Sequence, residues 1–131
     1  MKEIIKKEGD YKEWIYQSKN GVTYRCEIKR NTDLGFLCGY VEIDEDNKLY
    51  GKYYDEINLN VHGGLTYGRY HVSHKCLYGF DCGHSYDFSF INENGIYRDM
   101  NYVASECEKL AEQFSKFSIS AERNKKIDSL V

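Results

Sequence analysis

The chain has 131 residues, enough for one hydrophobic core and too few to expect two. Hydrophobic residues make up 41% and charged residues 30%, with a formal charge of −3 and both signs mixed along the chain. This is a soluble globular profile, and it lacks the clustered Lys and Arg that direct nucleic-acid binding requires. No apolar run approaches the roughly 20 residues of a membrane span. The opening MKEIIKKEGD is charged where a signal peptide would be apolar. The expectation is therefore a cytoplasmic protein of one domain, residues 1–131, with no membrane partner. Aromatic content is unusual, with 13 Tyr, 6 Phe and 1 Trp. Tyrosine suits both half-buried strands and binding surfaces.

Residues 1–13 fit a short helix or a first strand. Trp14–Ser18 and Val22–Arg30 flank Lys19-Asn20-Gly21, and Asn-Gly supplies the positive φ angles of a hairpin turn. In the second arm Val22, Tyr24, Cys26 and Ile28 alternate with Thr23, Arg25, Glu27 and Lys29, as on a sheet covered on one side. Phe36–Ile43 reads as a more buried strand, and Gly39 within it marks a bulge or a close backbone approach. Leu49–Tyr54 is ambiguous. Ile57, Leu59 and Val61 alternate with asparagines, predicting a strand that ends at His62. Cys76–Asp81 reads as the next strand, and Tyr86, Phe88 and Phe90 as another.

From Asp99 the period changes. Met100, Val103, Cys107, Leu110, Ala111, Phe114 and Phe117 recur at spacings of three and four, the apolar stripe of a helix with Asp99 as N-cap. Residues 118–131 read as a frayed extension or a second short helix. Strands followed by a long helix predict an α+β fold, a mostly antiparallel sheet packed against that C-terminal helix.

The chemistry-bearing residues gather between Val61 and Asp87, a stretch that holds all four histidines. His74, Cys76, Cys82 and His84 are the residue types zinc prefers, but their spacing matches no common zinc motif; no cofactor is expected, with zinc at these four as the alternative. Cys82, Asp81, His84 and His62 are candidates for nucleophilic catalysis, which needs a base near the thiol. The remaining reading is binding without chemistry. Its candidate residues are His62, Gly63, Gly64, Tyr67, Arg69, Asp81, His84 and Asp87, with tyrosines as stacking faces and Arg98 as a second anion contact. A single site requires His62 and His84 to converge. The five cysteines are odd in number and irregularly spaced, and are expected to be reduced thiols.

The ordered set GYV (39–41), YGKYYDEI (50–57), VHGGLTY (61–67), GFDCGH (79–84), YRD (97–99) and YVxxExExLAEQ (102–113) resembles a group of small phage- and prophage-encoded proteins. The likeness covers roughly residues 36–114. His62, Gly63, Gly64, Asp81, His84 and Asp87 match its pattern, whereas Gly83 and Ser85-Tyr86 depart from it. The resemblance implies a phage setting, hence the host cytosol, and carries no biochemical activity with it. The resulting expectation is an accessory protein that acts by binding a host defence protein or a small nucleotide-like ligand. Inhibition of a CRISPR effector or sequestration of a nucleotide signal would be its role. The alternatives are a small hydrolase acting on phosphate or acyl groups through His62, Asp81, Cys82 and His84, and a homo-oligomer assembled through an exposed sheet edge.

Overall fold

The structure, a computed structural model, describes residues 1–130. A short helix α1 (Lys2–Glu8) leads into strands β1 (Tyr11–Gln17), β2 (Thr23–Arg30), β3 (Leu37–Asp44), β4 (Tyr67–Val72) and β5 (Lys75–Asp81), followed by helices α2 (Met100–Ser115) and α3 (Ile119–Ser129). The strands form one antiparallel sheet in the order β1-β2-β3-β5-β4. This is the α+β fold expected from the sequence.

The first hairpin closes through the Ser18 amide donating to Val22 O at 2.8 Å, with Gly21 at φ +89°. The alternation in β2 places Tyr24, Cys26 and Ile28 in the core. Glu27 departs from the pattern, because its carboxylate is buried on the outer face under Arg25 Nη2 (2.8 Å) and the Tyr11 hydroxyl (2.7 Å).

Helix α2 covers the inner face. Asp99 caps it by accepting from the Tyr102 amide at 2.8 Å, and Met100, Val103, Cys107, Leu110, Ala111 and Phe114 are buried against the sheet. Phe117 falls beyond the last turn. Gly39 lets this helix approach closely: an added Cβ would lie 2.5 Å from the Phe80 ring and 2.7 Å from Cys107 Sγ. The β2–β3 register runs unbroken past it, so Gly39 marks close packing and no bulge. Trp14 Nε1 donates to Glu108 (3.1 Å) and the Tyr16 hydroxyl to Glu112 (2.7 Å), tying α2 to the edge strand. At the other end α1 is held by Arg30, which donates to Glu8, Asp10, Gly9 O, Gly35 O and the Tyr97 hydroxyl.

Three segments differ from expectation. Residues 57–61 form no strand. Gln113 on α2 takes the place of a neighbouring strand, its Oε1 accepting from the Asn60 amide and its Nε2 donating to Asn60 O, each at 2.7 Å. Tyr86–Phe90 forms isolated bridges only, Asp87 with Ile96 and Ser89 with Asn92. Conversely β4 was not apparent from its sequence. Its polar GRYH run carries a register irregularity between Arg69 and Val72, and His71, Ser73 and His74 adopt positive φ. The ambiguous 49–54 stretch is a turn that ends in one 3-10 turn, Tyr54–Glu56. Residues 119–129 form a helix capped by Ser118, whose hydroxyl accepts from the Ala121 amide.

Candidate functional site: a buried histidine–aspartate pair under an arginine and two tyrosines

The loop after Val61 and the loop after β5 meet beside the first turns of α2. Asp87 is the centre: its carboxylate is fully buried, yet it accepts from His62 Nε2 (2.8 Å to Oδ2, 3.1 Å to Oδ1), from Arg98 Nε (2.9 Å) and from the His84 amide (3.0 Å). Burial pushes the Asp87 carboxyl up, but those donors outweigh it and hold the carboxyl below its usual range. The pairing in turn raises the Arg98 guanidinium above its ordinary value.

The His62 tautomer follows from its partners. A carboxylate can only accept, so Nε2 carries the proton and donates to Asp87. In the neutral ring Nδ1 then accepts from the Tyr102 hydroxyl at 2.7 Å. The His62 amide donates to Glu106 Oε1 at 2.8 Å, so α2 holds both the ring and the backbone of this residue. The His62 side chain is 5% exposed.

His84 joins this cluster. Its ring lies 5.8 Å from that of His62 and stacks on Tyr86 at 6.3 Å, centroid to centroid. His84 Nε2 is buried with no hydrogen-bond partner, at 3.7 Å from Asp81 Oδ2. Gly63 makes room for that ring: at φ +68°, an added Cβ would lie 2.1 Å from His84 Nε2. Asp81 accepts from the Thr66 hydroxyl (2.8 Å) and the Gly83 amide (3.0 Å), fixing both loops. Above the network the Arg98 guanidinium carbon lies 5.1 Å from the Tyr102 ring centroid and 5.9 Å from that of half-exposed Tyr86. Among the described residues only its Nε donates a hydrogen bond, and the side chain is 20% exposed.

The other candidates do not converge here. Cys82 is 1% exposed, and burial, with the negative charges of Asp87 and Asp81 nearby, pushes its thiol far up, so it is a protonated core residue. Tyr67 lies on the outer face of the sheet, edge-on to Tyr40 at 5.3 Å, and Arg69, two residues along the same strand, shares that face. Gly64, at φ +80°, faces open space. The four possible zinc ligands are dispersed. His74 sits exposed at the β4–β5 turn, bonded to Glu45, while Cys76 is buried in β5 and Cys82 and His84 follow the strand's far end. A strand of that length spans roughly 20 Å. Among the described residues no three His, Cys, Asp or Glu side chains are grouped to hold a metal.

Tyr102, in the first turn of α2, is the site residue least visible in sequence, and Arg98, read there only as an anion contact, sits just before the Asp99 cap. Among the described residues no helix is long and apolar enough to cross a membrane. The chain matches no protein-family model, and comparison with curated proteins and with solved structures likewise finds no match.

Proposed function

We propose that this protein is a phage or prophage accessory protein that acts by binding, and that it inhibits a component of bacterial defence. The observation that carries the binding reading is the division of labour in the cluster. His62 and Asp87 are spent on each other and on holding loops. The solvent-facing groups above them are a guanidinium with unused donors and an aromatic face, Arg98 and Tyr86. A rigid Arg–Tyr surface over a satisfied polar base recognises; a catalyst needs a reactive group within reach of its substrate. Arg98 provides a planar fork for a carboxylate or phosphate, and Tyr86 a face for a planar or apolar group. A host protein and a nucleotide-like signal both present such groups.

The test is protection of an infecting phage or an incoming plasmid in cells carrying a CRISPR or nucleotide-signalling defence. Expression of the wild-type chain restores infection or transformation, and the Arg98→Ala/Tyr86→Ala variant loses that effect while remaining folded. Protection by the double variant equal to wild type, or none by the wild type against either class, rejects the proposal.

One observation favours the hydrolase as a second reading. His84 keeps an unpartnered ring nitrogen beside Asp81. Turnover of chromogenic phosphate or acyl esters that is abolished by His84→Ala would favour it over binding.

A further inference from the structure

The two edges of the sheet differ. The β4 edge is blunted: its pairing with β5 is irregular between Arg69 and Val72, His71 has φ +56°, and the Tyr70 hydroxyl accepts from the Tyr54 amide of the loop beside it. The β1 edge has none of these protections. Its pairing with β2 is regular from Tyr11↔Lys29 to Gln17↔Thr23, with no bulge, and the chain contains no proline. Natural sheets rarely leave such an edge open unless something adds to it.

The direction of each backbone group on β1 follows from the register. The Ser18 amide donates to Val22 O, and the Arg30 amide to Asp10 O, so positions 10 and 18 bond toward β2. Antiparallel pairing alternates, so Lys12, Trp14 and Tyr16 also bond toward β2. Tyr11, Glu13, Ile15 and Gln17 therefore turn their N–H and C=O groups outward. Their side chains stand on the outer face, with Ile15 67% and Tyr11 50% exposed.

We infer that this edge pairs with the same edge of a second copy, antiparallel about a twofold axis at Trp14, joining two five-stranded sheets into one. In that register Tyr11 faces Gln17 and Glu13 faces Ile15 across the axis, and every outward amide and carbonyl of the four residues finds a partner. Trp14 lies beside Trp14, and Lys12 is opposite Tyr16. No like charges lie directly opposite each other along the paired strands. The second copy is favoured over an unrelated strand by charge on the helix side. There Lys12 lies 5.1 Å over the Trp14 ring, and Trp14 and Tyr16 hold Glu108 and Glu112 of α2 at the edge. Twofold pairing brings Lys12 of each copy toward the Tyr16–Glu112 pair of the other, an isologous contact in which each surface complements itself.

The test is sedimentation velocity and native mass spectrometry of the full chain over a micromolar dilution series. Wild type is expected at twice the chain mass, dissociating on dilution. Ile15→Pro removes an outward N–H that the subunit fold does not use, and is expected to be monomeric with an unchanged circular dichroism spectrum. Ile15→Glu sets carboxylates against Glu13 at both symmetric positions, weakening the dimer about tenfold. Ile15→Lys places an ammonium there instead and retains the dimer. A wild type that stays monomeric throughout overturns the inference. So does dimerisation of Ile15→Pro and Ile15→Glu at wild-type strength, which would locate the contact elsewhere. Equal weakening by Glu and Lys would overturn the twofold register.

Discussion

Replacing Asp87 by Asn is the sharpest probe of the buried network. The substitution keeps shape and removes one acceptor. Oδ2 accepts from His62 and the His84 amide, and Oδ1 from Arg98. Wherever the Asn amide nitrogen is placed, it opposes a donor. Losing a charge-assisted hydrogen bond costs about 1.5–3 kcal/mol, and the stranded donor about 1–3 more. Arg98 is partly solvated and is discounted accordingly. The sum, about 3–5 kcal/mol, agrees with the usual cost of removing one partner from a buried pair. Urea unfolding at pH 7 followed by circular dichroism should show that loss, and thermal unfolding a Tm roughly 10–20 °C lower. The pH dependence has a definite sign. The folded carboxyl lies below its unfolded value, so its contribution is present above the unfolded pKa of about 3.9 and lost as pH falls through the folded pKa. The gap between wild type and variant should therefore persist from neutral pH to about pH 5 and close in stronger acid. A variant within about 1 kcal/mol of wild type at pH 7 would refute the reasoning, because the carboxylate would then not be what holds the loops.

Gly63→Ala should cost roughly 2–3 kcal/mol, since a strained φ and the His84 ring both oppose the methyl group, whereas Gly64→Ala should cost only about 1. Equal losses in chemical denaturation would show that His84 is not seated on Gly63. Arg30→Met, which removes the buried guanidinium that half-buried Glu8, Asp10 and the Tyr97 hydroxyl surround, should lose about 3–5 kcal/mol in the same assay, and a loss under about 1 would deny Arg30 its anchoring role. The thiols should react slowly in the native state, because burial raises Cys26 to about 12 and Cys38 to about 11 and pushes Cys82 and Cys107 up as well. Ellman's reagent at pH 8 should modify all five cysteines at once only in denaturant. A fast native modification mapped to Cys82 would restore it as a nucleophile candidate.

What could be read from the sequence is what periodicity encodes. The Asn20-Gly21 turn, the alternation of β2 and the stripe from Met100 to Phe114 each state a local pattern that a single packed face enforces. The segments misread are those where the partner was not a strand. Ile57 and Val61 alternate and are buried, yet the intervening backbone bonds to a side chain of α2. No local pattern announces such a partner. β4 was hidden for the opposite reason, because as an edge strand it carries polar residues on a ladder that needs no apolar face of its own. The candidate site was half legible. Histidines among glycines pointed to His62 and His84, and Asp87 stands among the binding candidates, but no local pattern joins these groups across separations of 25 residues from His62 to Asp87 and 40 to Tyr102. Polar pairs of that kind leave no period behind.

The placement of α2 also dictates an order of events in folding. Its bonds to the first hairpin close loops of 94 and 96 residues, from Trp14 to Glu108 and from Tyr16 to Glu112. Closing loops of that length is entropically expensive, so the local β1–β2 hairpin forms first and the helix docks late. Until it docks, the inner sheet face, with Ile28, Leu37, Val41, Tyr78 and Phe80, faces water as one apolar surface. Cys26 and Cys76 lie on that surface and Cys107 on the helix that will cover it. The thiols inert in the finished protein are thus open to oxidant during its assembly, and a reducing environment matters most while the chain is folding.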